Sequence, residues 1–164
     1  MRGPFHGVLV AAAVLAAAAC SSGTSTPAAT AGQPQPKTSA AAKDTAARFF
    51  GLYSAGQFAA AWAFLPPSTR RAIPQATWVA VHKACPSAAA GLTFQIKNAT
   101  VNGSTATVTY SLTGVGSAGG SATQAFTYSG GHWWLALADP GVYQHGSVKA
   151  DIAAAKAQGS CAAS

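Results

Sequence analysis

The apolar residues of this chain change their spacing once, between Cys85 and Leu92, and that switch limits what the chain can fold into. Before it, apolar side chains recur every three or four residues, the period of one helix face. Ala46, Phe49, Phe50 and Tyr53 form one such set, with Asp44 at the N-terminal end and Gly56 at the close. Phe58, Ala61, Trp62 and Leu65 form a second, stopped by Pro66-Pro67. Ser68-Thr69-Arg70-Arg71 reads as a polar connector, and Pro74 opens a third helix with Trp78, Val81 and Cys85 on one side; Pro86 ends it.

After the switch the period is two. Leu92, Phe94 and Ile96 alternate with Thr93, Gln95 and Lys97, the pattern of a half-buried strand. Asn102-Gly103 is a hairpin turn, and Ala106, Val108, Tyr110 and Leu112 share one face of the returning strand. A Gly/Ser-rich loop (113–121) leads to a third strand around Ala125–Tyr128. Ser129-Gly130-Gly131 then turns into a fourth, His132–Leu137, which Asp139-Pro140-Gly141 breaks. Residues 147–157 suit a last Ala-rich helix that brings Cys161 back to the body. Helices first and an antiparallel meander second is an α+β order.

Ahead of this domain stands a different kind of sequence. One basic residue, Arg2, precedes an apolar run over residues 8–19 that ends in small residues at Cys20. The run is shorter than the roughly 20 residues that cross a bilayer, and it fits the about 7–15 of an export signal's apolar region. It resembles the signal of bacterial lipoproteins, with Ala17 where their cysteine box carries leucine. The resemblance implies cleavage before Cys20, lipid (palmitate among its acyl chains) on that residue, and anchoring to the cell membrane on its extracytoplasmic face. Cleavage after Ala17-x-Ala19 with plain secretion, and a retained helix, are the competing fates. Residues 1–19 are thus read as signal, 20–37 as lipidated cysteine and disordered tether, and 38–164 as one domain. The tether, rich in Ser, Thr, Pro, Gly and Gln, has no large apolar side chain with which to offset its ordering entropy.

Cysteine parity agrees with that reading. Of three cysteines, lipid on Cys20 leaves Cys85 and Cys161 to pair in the oxidising compartment that export reaches, with two separate thiols as the alternative. Without Arg2 the chain holds nine Lys/Arg against three Asp, a net charge of +6. Apart from Arg70-Arg71 the positive charges stand singly, so nucleic acid is not an expected partner. Anionic lipid head groups and acidic wall polymers are the surfaces such a charge favours.

Three stretches together resemble the nuclear-transport-factor-2-like superfamily over about residues 45–140. Tyr53-Ser-Ala-Gly56-Gln57-Phe58-Ala-Ala-Ala-Trp62-Ala-Phe-Leu65 is similar to its turn and apolar helix with Ala-Trp. Asn102-Gly103-Ser104-Thr105-Ala106-Thr107-Val108 is similar to its middle hairpin, and Gly131-His132-Trp133-Trp134-Leu135 to its terminal strand. The resemblance implies a cone, with N-terminal helices packed in the hollow of a curved antiparallel sheet. In such a cone Phe49, Tyr53, Trp62, Trp78, His82, Phe94, Tyr110 and Trp133 are candidates to line a pocket for an apolar small molecule, though as a set they read first as core. Trp134 should face away from Trp133, which puts one of the two on the outer surface.

Chemistry is sparse. The chain has no glutamate, and its acids are Asp44, Asp139 and Asp151. Asp44 reads as a helix-start residue, Asp139 as a turn residue, and Asp151 as a solvated charge on a polar helix. His82 follows Trp78 by one helical turn and reads as a stacked structural imidazole. His132 and His145 fall at a strand end and in a loop. No pair has metal-ligand spacing, no nucleophile elbow or phosphate loop occurs, and no cofactor is expected. The leading expectation is a non-catalytic binding or interaction module at the cell envelope. The alternatives are an isomerase- or dehydratase-like enzyme using His82 or Asp139 in the cone, and an accessory subunit of an envelope complex for wall synthesis or transport.

Overall fold

The computed structural model describes residues 34–85, 92–114, 120–158 and Cys161. The leader, Cys20, most of the tether, Pro86 and the middle of the Gly/Ser loop lie outside the described residues. No helix among the described residues is long and apolar enough to cross a membrane.

Helix α1 spans Ser39–Ser54 and buries Ala42, Ala46, Phe49 and Phe50 along one stripe. Its start corrects the reading of Asp44. The cap is Thr38, whose Oγ1 accepts from Ala41 N, and Asp44 is an exposed residue inside the helix. The alanines between them carry the helix back to the first residue able to satisfy a free N–H. Gly56, at φ +69°, turns the chain into α2, Phe58–Trp62.

The connector over 68–71 is also corrected: it lies within a helix, α3, Pro67–Ala72. Pro67 is at its first turn, where the missing N–H costs nothing, so proline begins a helix as well as ending one. None of its residues is buried, so no apolar period marks it in the sequence. Helix α4, Gln75–Ala84, follows Pro74 and buries Trp78 and Val81.

Four strands then form an antiparallel meander in the order β1-β2-β3-β4: Thr93–Asn102, Thr105–Thr113, Ser121–Ser129 and His132–Leu135. In β1 the more buried side chains are Phe94 and Ile96, then Ala99 and Val101, because the register slips between Ile96 and Asn98. That bulge re-aims the strand and keeps apolar residues turned to the helices on both sides of it. Strand β4 ends at Leu135, short of the expected Leu137. Leu135 N donates to Phe64 O (2.8 Å); Ala136 N still donates to Ala125 O (3.1 Å), but the Gln124 side chain takes Ala136 O (2.7 Å) in place of the return bond.

The main core joins α1, α2 and α4 to the sheet through Leu65, Ile73, Trp78, Val108, Phe126 and Trp133, all nearly solvent-free. A smaller cluster of Val81, Cys85, Val142 and Ala155 seats the last helix, α5, Val148–Ala157. The Cys85–Cys161 disulfide closes it, with Cα atoms 4.9 Å apart.

The tether meets the domain earlier than composition indicates. Gln35 N donates to Gly131 O (2.7 Å), and Gln35 O accepts from Tyr128 Oη (2.6 Å). Its side-chain Oε1 accepts from Trp133 N (2.8 Å), and its Nε2 donates to the buried Thr45 Oγ1 (3.2 Å). Pro36 O accepts from the Trp133 indole (3.2 Å). Residues 34–37 therefore belong to the domain's structure, held by polar bonds that no hydrophobic pattern announces.

Candidate functional site

Helix α4 places Trp78 and His82 one turn apart, and the rings meet at 4.1 Å between centroids. Phe58 of α2 stacks on the imidazole at 5.3 Å, and Tyr53 of α1 meets it edge-on at 5.2 Å. Tyr53 Oη lies 3.0 Å from His82 Nδ1, and Tyr143 Oη lies 3.0 Å from Nε2. Both ring nitrogens are therefore in use. A neutral imidazole carries one N–H, so it donates to one tyrosine and accepts from the other.

Electrostatics fixes that state. Burial lowers the His82 pKa from 6.5 to about 4, so the ring is neutral at pH 7. Tyr143 is pushed well above the usual tyrosine range, chiefly by burial, with the nearby Tyr53 and Asp151 further disfavouring a second negative charge there. Neither group is poised to exchange a proton near neutrality. The trio is a neutral hydrogen-bonded relay tying α1, α4 and the turn before α5.

Asp151 is corrected from solvated to buried, with 2% of its surface exposed. Its Oδ1 accepts from His145 N at 2.8 Å and lies 3.3 Å from His145 Nδ1. Placed in the first turn of α5, behind the Ser147 cap, the carboxylate meets the positive end of the helix and pins the incoming loop. Asp139 is a turn residue: Oδ1 caps Gly141 N (2.8 Å) and Oδ2 accepts from Gln158 (3.0 Å).

Six of the eight pocket candidates form one continuous chain of ring contacts. It runs Trp78–His82–Tyr53–Phe49–Phe50–Phe94–Tyr110, with Phe50 joining the set and stacking on Phe94 at 4.3 Å. These rings spend their faces on one another. Trp133 instead packs on Tyr128, and Trp62 lies beneath Arg70. Trp134 points the other way from the buried Trp133 and is half-buried. Among the described residues no three His, Cys, Asp or Glu side chains gather as a metal site, and Cys85 is tied up in its disulfide.

Sequence reasoning missed Tyr143 and Gln35. Asp139-Pro140-Gly141 signals a turn, here a 3-10 turn over Pro140–Tyr143, but nothing local says that it lands on His82. The molecule is thus an α+β protein, a four-stranded antiparallel sheet with helices, holding a buried Tyr-His-Tyr relay. No family model, curated protein or solved structure matches the chain.

Proposed function

We propose that the chain is an exported lipoprotein, anchored through Cys20 on the extracytoplasmic face of the cell membrane, whose nuclear-transport-factor-2-like domain is a non-catalytic interaction module. The observation that carries the module reading is His82. It is the ring best placed to act as a base inside such a cone, and Tyr53 and Tyr143 occupy both of its nitrogens. The Cys85–Cys161 bridge supports the anchor, since it leaves Cys20 as the remaining cysteine of the three and belongs to an oxidising compartment.

Mass spectrometry of the mature N-terminus tests the anchor. A chain beginning at a diacylglyceryl-modified Cys20 is expected, with Cys20→Ser accumulating unprocessed. An unmodified Cys20 or another start overturns it. For the module reading, the chain is expected to leave a 3-ketosteroid substrate unisomerised; turnover that His82→Phe abolishes would defeat that reading.

A further inference from the structure

We infer that Arg70, seated over the rings of Trp62 and Trp134, docks the domain on anionic phospholipid head groups. The guanidinium lies 5.4 Å from the Trp62 ring centroid and 5.5 Å from that of Trp134. Both indoles are fixed by their own N–H groups, Trp62 to Ile73 O (2.9 Å) and Trp134 to Ser129 O (3.0 Å). The cation is therefore held by two rigid rings from different parts of the chain, α2 and β4.

What it lacks is an anion. Its Nε is shielded from solvent without a hydrogen-bond partner, and among the described residues no carboxylate pairs with it. A guanidinium held over aromatic rings can still offer paired N–H groups, which suit the paired oxygens of a phosphate. The exposed Arg71 adjoins it, and the His132 ring lies 5.4 Å from that of Trp134. Tryptophan beside cations is the side-chain chemistry of a membrane interface, apolar at one end and wet at the other.

The path of the tether favours a membrane over a soluble anion. Pro34 packs on Gly131, where a Cβ would lie 3.2 Å from the proline Cβ, and Gln35 is bonded to Gly131 O. The chain coming from Cys20 thus joins the domain at the turn that begins β4, the strand carrying His132 and Trp134. The 13 residues between can reach at most ~50 Å. A lipid on Cys20 would keep this corner at high effective concentration beside the bilayer. The inference names the partner of the proposed module and so rests on the anchored reading.

The test is tryptophan quenching by brominated lipid, using the full mature chain on neutral phosphatidylcholine vesicles and on vesicles with three-tenths phosphatidylglycerol. Quenching is expected on the anionic vesicles and to fade with salt. Trp78 and Trp133 are each 2% exposed, so the quenched emission should belong to Trp62 and Trp134 and fall by about half in Trp134→Phe. Arg70→Gln should weaken docking about fivefold, the worth of one basic residue at an anionic surface. Its melting temperature reports whether it folds; Arg70→Lys, which keeps the charge and loses the planar fork, should weaken docking less. Equal quenching on neutral vesicles, or none lost in Arg70→Gln, overturns the inference. So does an Arg70-dependent response to soluble poly(glycerol phosphate) without bromine quenching, which would assign the site to a wall polymer. Failure of the anchor is seen separately, in the mass of the N-terminus.

Discussion

His82 couples the folded state to protons in a direction that can be worked out. Its pKa is 6.5 when free and about 4 in the fold, lowered by burial. Above pH 6.5 both folded and unfolded chains hold a neutral ring, and the full stability is present. Between pH 6.5 and 4 the unfolded chain takes up a proton that the folded one refuses, so stability falls by about 3 kcal/mol in total, then levels. Urea unfolding at pH 7.5 and pH 4 should show this loss in the wild type and not in His82→Phe. That variant should also lose about 1–2 kcal/mol at pH 7.5, because two tyrosine hydroxyls lose their bond to the ring. An unchanged pH slope in the variant would assign the effect elsewhere. The helical neighbour Trp78 was legible here, because a four-residue spacing puts two side chains on one face. Asp151 was not: a carboxylate on an alanine-rich helix looks solvated until a loop N–H, that of His145, is seen to need an acceptor.

Strand β4 is a sheet edge, and edges leave backbone groups open to pairing with other chains. Both of its outward N–H groups are covered, Trp133 N by the Gln35 amide and Leu135 N by Phe64 O. The cover comes from a segment whose composition reads as tether. A hydrophobic pattern detects burial of apolar surface, and Gln35 is held by four hydrogen bonds instead. Helix α3 escapes notice for the same reason, while α4, the strands and the apolar stripe of α1 were legible, the alanine-rich first turn of α1 excepted. Gln35→Ala should therefore cost about 1–2 kcal/mol and speed hydrogen exchange of the Trp133 amide about tenfold. A chain started at Lys37 should melt below one started at Gly32. Equal melting temperatures, with an equally protected Trp133 amide, would show that the edge needs no cover.

The two hydrophobic clusters share one helix. Trp78 belongs to the main core, Val81 and Cys85 belong to the smaller one, and His82 stands between them on α4. Tyr143 reaches His82 from the second cluster, whose return to the body is fixed by the Cys85–Cys161 bridge across a separation of 76 residues. A loop of that length stabilises the fold by about 2–4.5 kcal/mol by constraining the unfolded chain. The loss in Cys161→Ser should not be uniform, because the sheet and α1 do not depend on α5, whereas the Tyr143–Nε2 bond does. With α5 loosened, water should reach the imidazole, and the midpoint of its titration should rise from about 4 toward 6.5. Proton chemical shifts of the His82 ring measure that midpoint, and amide exchange in β2 and β3 shows whether the sheet is intact. A raised midpoint with a protected sheet would make the relay a reporter of C-terminal docking. A midpoint still near 4 in Cys161→Ser would mean that packing by Trp78, Phe58 and Tyr53 alone keeps the ring dry.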